Sequence, residues 1–178
     1  CASPTDESAS FVLATVEVEG TEDLLPVFGP TIWRRTIAEI SAKLVASLPP
    51  ETAIYHSRTM RHNVILPTAD FQEAMELVER VVRALNEPFL VENLPVAFVT
   101  HVGLARFPNH GDEIEELSRC ALVALHACKN SDDDFSVYDP IWDRAQRGRY
   151  LLLQDLNDAM RRKEELLLHY QPKVDLKT

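Results

Sequence analysis

The sequence predicts an α+β fold in which one mixed, mostly antiparallel sheet is flanked by helices. Two observations lead to this prediction. Strand-like segments occur as antiparallel pairs around short turns, and amphipathic helical segments alternate with those pairs along the chain. The 178 residues, with 46% apolar content, are enough for one hydrophobic core and a C-terminal appendage.

The first predicted strand is residues 11–19, and its apolar front half is typical of a buried central strand. Glu17 and Glu19 are two residues apart at its end and therefore point to the same side. Paired carboxylates of this kind are suitable ligands for a divalent metal. The plainer interpretation, which we favour, is that both are solvated at a strand terminus.

Four helices are predicted from apolar residues at spacings of three and four, together with capping residues. The third is expected to bury Ile114. An antiparallel pair is predicted for residues 89–91 and 95–107, and a short strand for 135–138. The helices are expected at residues 33–48, ending before Pro49-Pro50; at 71–85, capped by Thr68-Ala69-Asp70; from about Asp112 to Lys129; and from Asp139-Pro140 onward.

The segment 53–66 differs from these ordinary core elements. Two strands, 53–57 and 63–66, are predicted to meet at a tip formed by residues 58–61. The tip contains no Gly, Asn or Asp, so we expect either a longer connection or a turn without its usual residues. We expect Arg58, Arg61 and His62 to project there, and one hypothesis is that they contact an acidic partner surface.

A net charge of −10 and a pI near 5.0 argue against general binding to nucleic acid or anionic lipid. No apolar run approaches the length of a spanning helix, so we expect no direct membrane insertion. Three cysteines without metal-binding spacing favour a reducing compartment. The expected location is cytoplasmic, which leaves open a longer parent protein that is membrane-associated.

The sequence lacks the motifs of several common functional sites. There is no Gly-rich phosphate loop or nucleophile elbow, and the acidic run 132–134 lacks the alternation, glycine and distant glutamate of a calcium loop. No two histidines have a zinc-binding spacing. Lys129, at the end of the third helix, either complements the helix dipole or contacts a phosphate.

Several short motifs nevertheless occur in the order found in one known family. They are Val102-Gly103-Leu104 followed by Phe107-Pro108, then Ala127-Cys128-Lys129, Tyr138-Asp139-Pro140, and the tail from Leu168 to Thr178. Residues 11–139 resemble the GGDEF domain of bacterial diguanylate cyclases. Residues 151–178 resemble the linker helix and first strand of an EAL phosphodiesterase domain.

The resemblance implies a palm similar to that of nucleotidyl cyclases, in which a Gly-Gly-Asp/Glu-Glu-Phe hairpin holds GTP and metal. Those five positions match Arg58, Thr59, Met60, Arg61 and His62, and every one departs from the motif. The metal-binding acid falls on Glu17 and the phosphate-binding lysine on Lys129, whereas the two guanine-reading positions fall on Leu25 and Arg34. The resemblance therefore implies a degenerate domain with no cofactor, in which Mg²⁺ binding is not expected.

Residues 1–10 are expected to be disordered or a linker. By this resemblance, the rest of the chain comprises a degenerate GGDEF domain (11–139), a linker helix (140–168) and the first strand of a truncated EAL domain (169–178). The expected function is an inactive regulatory module coupled to a C-terminal EAL domain, in a parent protein that could be a cyclic di-GMP phosphodiesterase. The alternative is a sensor that binds GTP without reacting. A homodimer or a separate protein partner stays open.

Overall fold

The computed structural model describes residues 10–68, 70–91 and 93–162. The predicted linker up to residue 9 and the predicted EAL strand lie outside the described residues. The elements, in chain order, are β1 (Phe11–Glu19), α1 (Leu24–Ala46), β2 (Ala53–Arg58), β3 (Arg61–Leu66), α2 (Phe71–Asn86), β4 (Phe89–Val91), β5 (Leu94–Val96), β6 (Val99–Phe107), α3 (Ile114–Cys128), β7 (Phe135–Val137) and α4 (Pro140–Arg161).

The main sheet has five strands in the order β2-β3-β1-β6-β7. All neighbours are antiparallel except β6 and β7, which are parallel. The predicted α+β class with a mostly antiparallel sheet is therefore confirmed. Strands β1 and β6 place buried side chains on both faces of the sheet, which explains the run of buried apolar residues in the first half of β1.

Each sheet face packs against different helices. Val12, Val16 and Val102 belong to the larger core, which they share with buried residues of α1 and α2. Leu13 and Ala105 belong to a smaller core with buried residues of α3. Because side chains alternate along a strand, each residue of β1 is assigned to one of these two faces.

The predicted strand 95–107 is wrong as a single element. Residues 94–96 pair with β4 in a separate two-stranded sheet, whereas β6 begins at Val99 and pairs with β1 and β7. Phe98, which is 4% exposed, lies at the break. One continuous strand could not serve both sheets, and the alternating apolar pattern continues across the junction without marking it.

Two helix predictions also need correction. Helix α1 begins at Leu24 and not at residue 33, and its helical backbone is interrupted at Gly29, which has φ 77° and ψ 174°. Pro30 then starts the next helical segment, where its missing N–H is not required. Ile114, expected in the core, is 52% exposed because it is the first residue of α3.

The chain divides into two compact units between Trp142 and Asp143. Helix α4 starts in the first unit, where the Asp139 carboxylate accepts a hydrogen bond from the Ile141 N–H at 2.8 Å, as predicted for an N-cap. None of its described side chains is buried. Among the described residues, no helix combines the length and the hydropathy needed to cross a bilayer.

Candidate functional site

Three polar residues form a row across the middle of the main sheet. Glu17 on β1 lies opposite Arg61 on β3 and opposite His101 on β6. By strand alternation, all three side chains lie on the face that carries Leu13 and Ala105, which is the face covered by α3. The apolar half of β1 therefore ends where a charged cluster begins.

Helix α3 brings a second cation to this row. A Cβ atom added to Gly103 of β6 would collide with the backbone of Ala121 and Leu125, so α3 lies directly against the strand. The helix ends at Cys128, and Lys129 is its C-cap residue. This close approach directs the Lys129 side chain toward the two carboxylates at the end of β1.

The resulting contacts form one ion network. The Glu17 Oε2 atom accepts a hydrogen bond from Arg61 Nε at 2.7 Å and lies 2.6 Å from Arg61 Nη2. Lys129 Nζ lies 3.0 Å from Glu17 Oε1 and 2.5 Å from Glu19 Oε1. Arg61, Glu17, Lys129 and Glu19 are hereafter called the ion quartet.

The shifted pKa values of Glu17 and Lys129 agree with their pairing. Burial would raise the pKa of Glu17, but hydrogen bonds and charges from Lys129 and Arg61 outweigh burial and lower it below the usual value. Burial would lower the pKa of Lys129, but Glu19 and Glu17 outweigh burial and raise it. Both side chains therefore remain charged at neutral pH.

An open cavity of about 340 Å³ lies beside the quartet. Its lining includes both carboxylates of the quartet, the exposed Glu22, the half-buried Trp33, and Thr59 and Met60 from the hairpin tip. Three of the lining residues carry carboxylates, and two of these, Glu17 and Glu19, are paired with Arg61 and Lys129. Leu25 and Arg34, the expected guanine-reading positions, are not among its described lining residues; Leu25 is 42% exposed, and Arg34 Nε donates to the Pro30 carbonyl at 3.2 Å.

The hairpin tip is tighter than its composition suggests. Arg58 pairs with Arg61, so only Thr59 and Met60 form the turn, and Met60 adopts φ 67°. Of the two alternatives left open by the sequence, the turn without its usual residues is therefore the observed one. Although it lies at the tip, Met60 is 3% exposed, and its carbonyl accepts a hydrogen bond from the Val18 N–H at 3.0 Å.

The expected projecting basic patch is also wrong for two of its three residues. Arg58 is exposed, but Arg61 is held by Glu17, and His62 is 4% exposed on the face covered by α1 and α2. The His62 ring contacts His56 edge-on, with ring centroids 4.4 Å apart. Burial, together with the charge of His56, lowers the pKa of His62 to about 4.

Two residues beside the quartet, His101 and Cys128, were not predicted from the sequence as part of a site. His101 Nε2 lies 3.7 Å from Glu19 Oε2, and His101 Nδ1 lies 3.6 Å from the buried Cys128 sulfur. A signal for His101 was available, because it precedes Gly103 by two residues and so shares its face of β6. The acidic run 132–134, expected to be a solvated loop, is exposed.

The resemblance to GGDEF domains implies a divalent metal at Glu17, and the residues present do not fit one. Both Glu17 oxygens already accept hydrogen bonds from the chain's own cations. Within the described parts of the chain, no group of three or more His, Cys, Asp or Glu side chains is arranged to hold a metal. Divalent ions require free oxygen ligands, and Arg61 and Lys129 already occupy both oxygens of Glu17.

No protein-family model matches the chain. The bifunctional diguanylate cyclase/cyclic di-GMP phosphodiesterase MucR of Pseudomonas aeruginosa is 22% identical over 165 residues, covering 92% of this chain and 24% of MucR. A cyclic di-GMP phosphodiesterase from the same organism is 27% identical over 132 residues, covering 72% of this chain and 22% of that protein. The chain thus spans about a quarter of the length of these curated relatives.

Among solved structures, the GGDEF domain of the Pseudomonas aeruginosa protein TpbB (YfiN) superposes with a TM-score of 0.73. The superposition covers 80% of this chain and 84% of that domain, at 14% sequence identity. The chain has the GGDEF-domain fold. In this chain, the Arg61–Glu17 pair joins the β2–β3 hairpin to the adjacent strand β1.

Proposed function

We propose that this chain is a catalytically inactive, regulatory GGDEF-type module of a bacterial cyclic di-GMP signalling protein. The observation that carries the proposal is the pairing of both Glu17 oxygens with Arg61 and Lys129. Nucleotidyl transfer requires cations that neutralise the phosphates of the nucleotide, and metal ions normally supply this charge. Here the carboxylate that would hold a metal is bound by fixed cations.

The hairpin supports the same proposal. If residues 58–62 occupy the positions of the GGDEF motif, Arg58 and Thr59 add side chains where glycines would let a nucleotide approach the backbone. Met60 fills the core side of the turn. Arg61 places a positive charge where the motif has a carboxylate, which reverses the local field.

We further propose that the module acts on an EAL domain that follows it in a longer protein. The start of α4 is well suited to this role, because Tyr138 N–H donates to the Leu104 carbonyl of β6 at 2.8 Å and Asp139 caps the helix. MucR, by its name, combines cyclase and phosphodiesterase activities. Deleting residues 11–139 from such a protein should change its phosphodiesterase activity, and an unchanged activity would contradict the coupling.

The alternative is a GTP-binding sensor that uses the cavity of about 340 Å³ beside the quartet. Its support is weaker, because Lys129, the expected phosphate contact, is engaged by two carboxylates, and no Lys or Arg is among the described residues that line the cavity. Calorimetry with GTP distinguishes the two. We expect no binding heat up to millimolar GTP, whereas binding that is lost in Lys129→Gln would favour the sensor.

The direct test of inactivity is cyclic di-GMP synthesis from GTP in the presence of Mg²⁺ or Mn²⁺. We expect product formation by the chain to equal that of its Glu17→Gln variant, at the level of a protein-free control. Product made by the chain and lost in Glu17→Gln would overturn the proposal, because that result requires a working carboxylate at this position.

A further inference from the structure

We propose that Arg61 and Lys129 are internal counter-cations that take the place of a divalent ion at Glu17 and Glu19. This inference rests on the proposed function, in that it explains why the site is inactive. It makes a separate claim about binding: the two carboxylates keep the capacity to hold a divalent cation, and the two basic side chains alone prevent it.

The geometry of the quartet supports a replacement. Arg61 approaches Glu17 from β3, and Lys129 approaches both carboxylates from the end of α3, so the cations reach the oxygens from two directions. All three contacts to Glu17 are 3.0 Å or shorter. The Lys129 ammonium bridges Glu17 and Glu19, which is the position that a cation shared by two carboxylates would occupy.

The charge balance explains why a divalent ion is excluded. Two carboxylates and two cations sum to zero, so the quartet has no net attraction for a further cation. The Arg61, Glu17 and Lys129 side chains are only 16%, 19% and 20% exposed, so solvent screens their charges weakly. A divalent ion at Glu17 would therefore lie close to two poorly screened positive charges.

A lack of solvent access to Glu17 and Glu19 is not what prevents a divalent ion from binding. The Glu19 side chain is 43% exposed, and both carboxylates line the open cavity of about 340 Å³. An ion could reach the oxygens from solvent without a change in the backbone. The barrier to binding is electrostatic, so removing positive charge should open the site while the fold is retained.

The test is titration of Mn²⁺ against the chain, with free Mn²⁺ measured by electron paramagnetic resonance. The variants are Arg61→Gln, Lys129→Gln and the double variant, each checked by circular dichroism. We expect no Mn²⁺ binding by the unaltered chain below about 10 mM, and an affinity that rises about tenfold with each cation removed. If Arg61→Gln fails to fold, Lys129→Gln answers the same question from α3.

Two controls isolate the effect. Arg58→Gln removes the same charge from the exposed end of the hairpin and should leave Mn²⁺ binding unchanged. Adding Glu17→Gln to the double variant should abolish the gain. The inference would be overturned if the unaltered chain and the double variant bound Mn²⁺ equally, or if no folded variant bound it. Cyclic di-GMP synthesis by the unaltered chain would instead overturn the proposed function.

Discussion

Two adjacent residues of β3, Arg61 and His62, meet opposite faces of the same sheet, and each avoids an unpaired buried charge in a different way. Arg61 carries a permanent charge and is paired with Glu17, which lies opposite it and accepts a hydrogen bond from its Nε at 2.7 Å. His62 lies opposite Val16 on the face that packs against α1 and α2, and it stays neutral. Neighbouring residues of a strand face opposite sides of the sheet, so a difference of one position decides whether a basic side chain is ion-paired or is buried in its neutral form.

The largest loss of stability is expected when Arg61 and His62 are exchanged. The variant Arg61→His with His62→Arg keeps the composition but moves the permanent charge to the apolar face and leaves Glu17 with a weaker partner. We expect a loss of about 4 kcal/mol or more in the free energy of unfolding, measured by urea denaturation. Arg58→His, at the exposed end of β2, is the control and should change stability by less than about 0.5 kcal/mol.

A smaller loss of stability is expected when only the Arg61–Glu17 ion pair is altered. Arg61→Ala and Glu17→Ala should each cost about 2 kcal/mol, between the values for exposed and buried ion pairs, since both side chains are mostly covered. A double-mutant cycle between them should give a coupling of about 1 kcal/mol or more. Additive losses would mean that the pair contributes through packing and not through its charges.

The next prediction concerns His62, the neutral residue of the two, and depends on pH. Because the pKa of His62 is lowered to about 4 in the folded chain, the unfolded chain takes up this proton first as the pH falls. The contribution of His62 to stability is thus fully present above about pH 6.5 and is lost as the pH falls toward 4. We expect His62→Asn to flatten the stability profile in this window.

The exposed His126 provides the control for this pH effect. His126→Asn should leave the slope between pH 6.5 and 4 as it is in the unaltered chain. Nitrogen-15 spectra of the histidine rings report the same property directly: the ring of His62 should remain neutral until the pH approaches 4. A midpoint near 6.5 for that ring would contradict the assignment of His62 to a buried, neutral role.

Much of the fold could be predicted from the sequence because apolar spacing reports burial directly. Apolar spacing predicted the order of the elements. Residue type predicted the N-cap at Asp139, and strand alternation predicted the common side of Glu17 and Glu19. The break between β5 and β6 was not, because the alternating pattern runs through Val96, Phe98 and Thr100 although the backbone changes sheets there.

The candidate site was harder to predict because its contacts depend on register. Glu17 and Arg61 are 44 positions apart in the chain, and only the pairing of β1 with β3 makes them neighbours. The approach of Lys129 depends on the closeness of α3 to Gly103. The assignment of residues 58–62 to the GGDEF motif, and the domain boundaries at residues 139 and 168, stay predictions.

The buried Met60 also makes this chain convenient for spectroscopy. The sequence contains three methionines, and they occupy different surroundings: Met60 lines the cavity and is 3% exposed, Met75 is half-buried on α2, and Met160 is 52% exposed on α4. Selective carbon-13 labelling of the methionine methyl groups therefore gives a spectrum of three signals. One of them reports any ion or molecule that enters the cavity, and the other two serve as internal references.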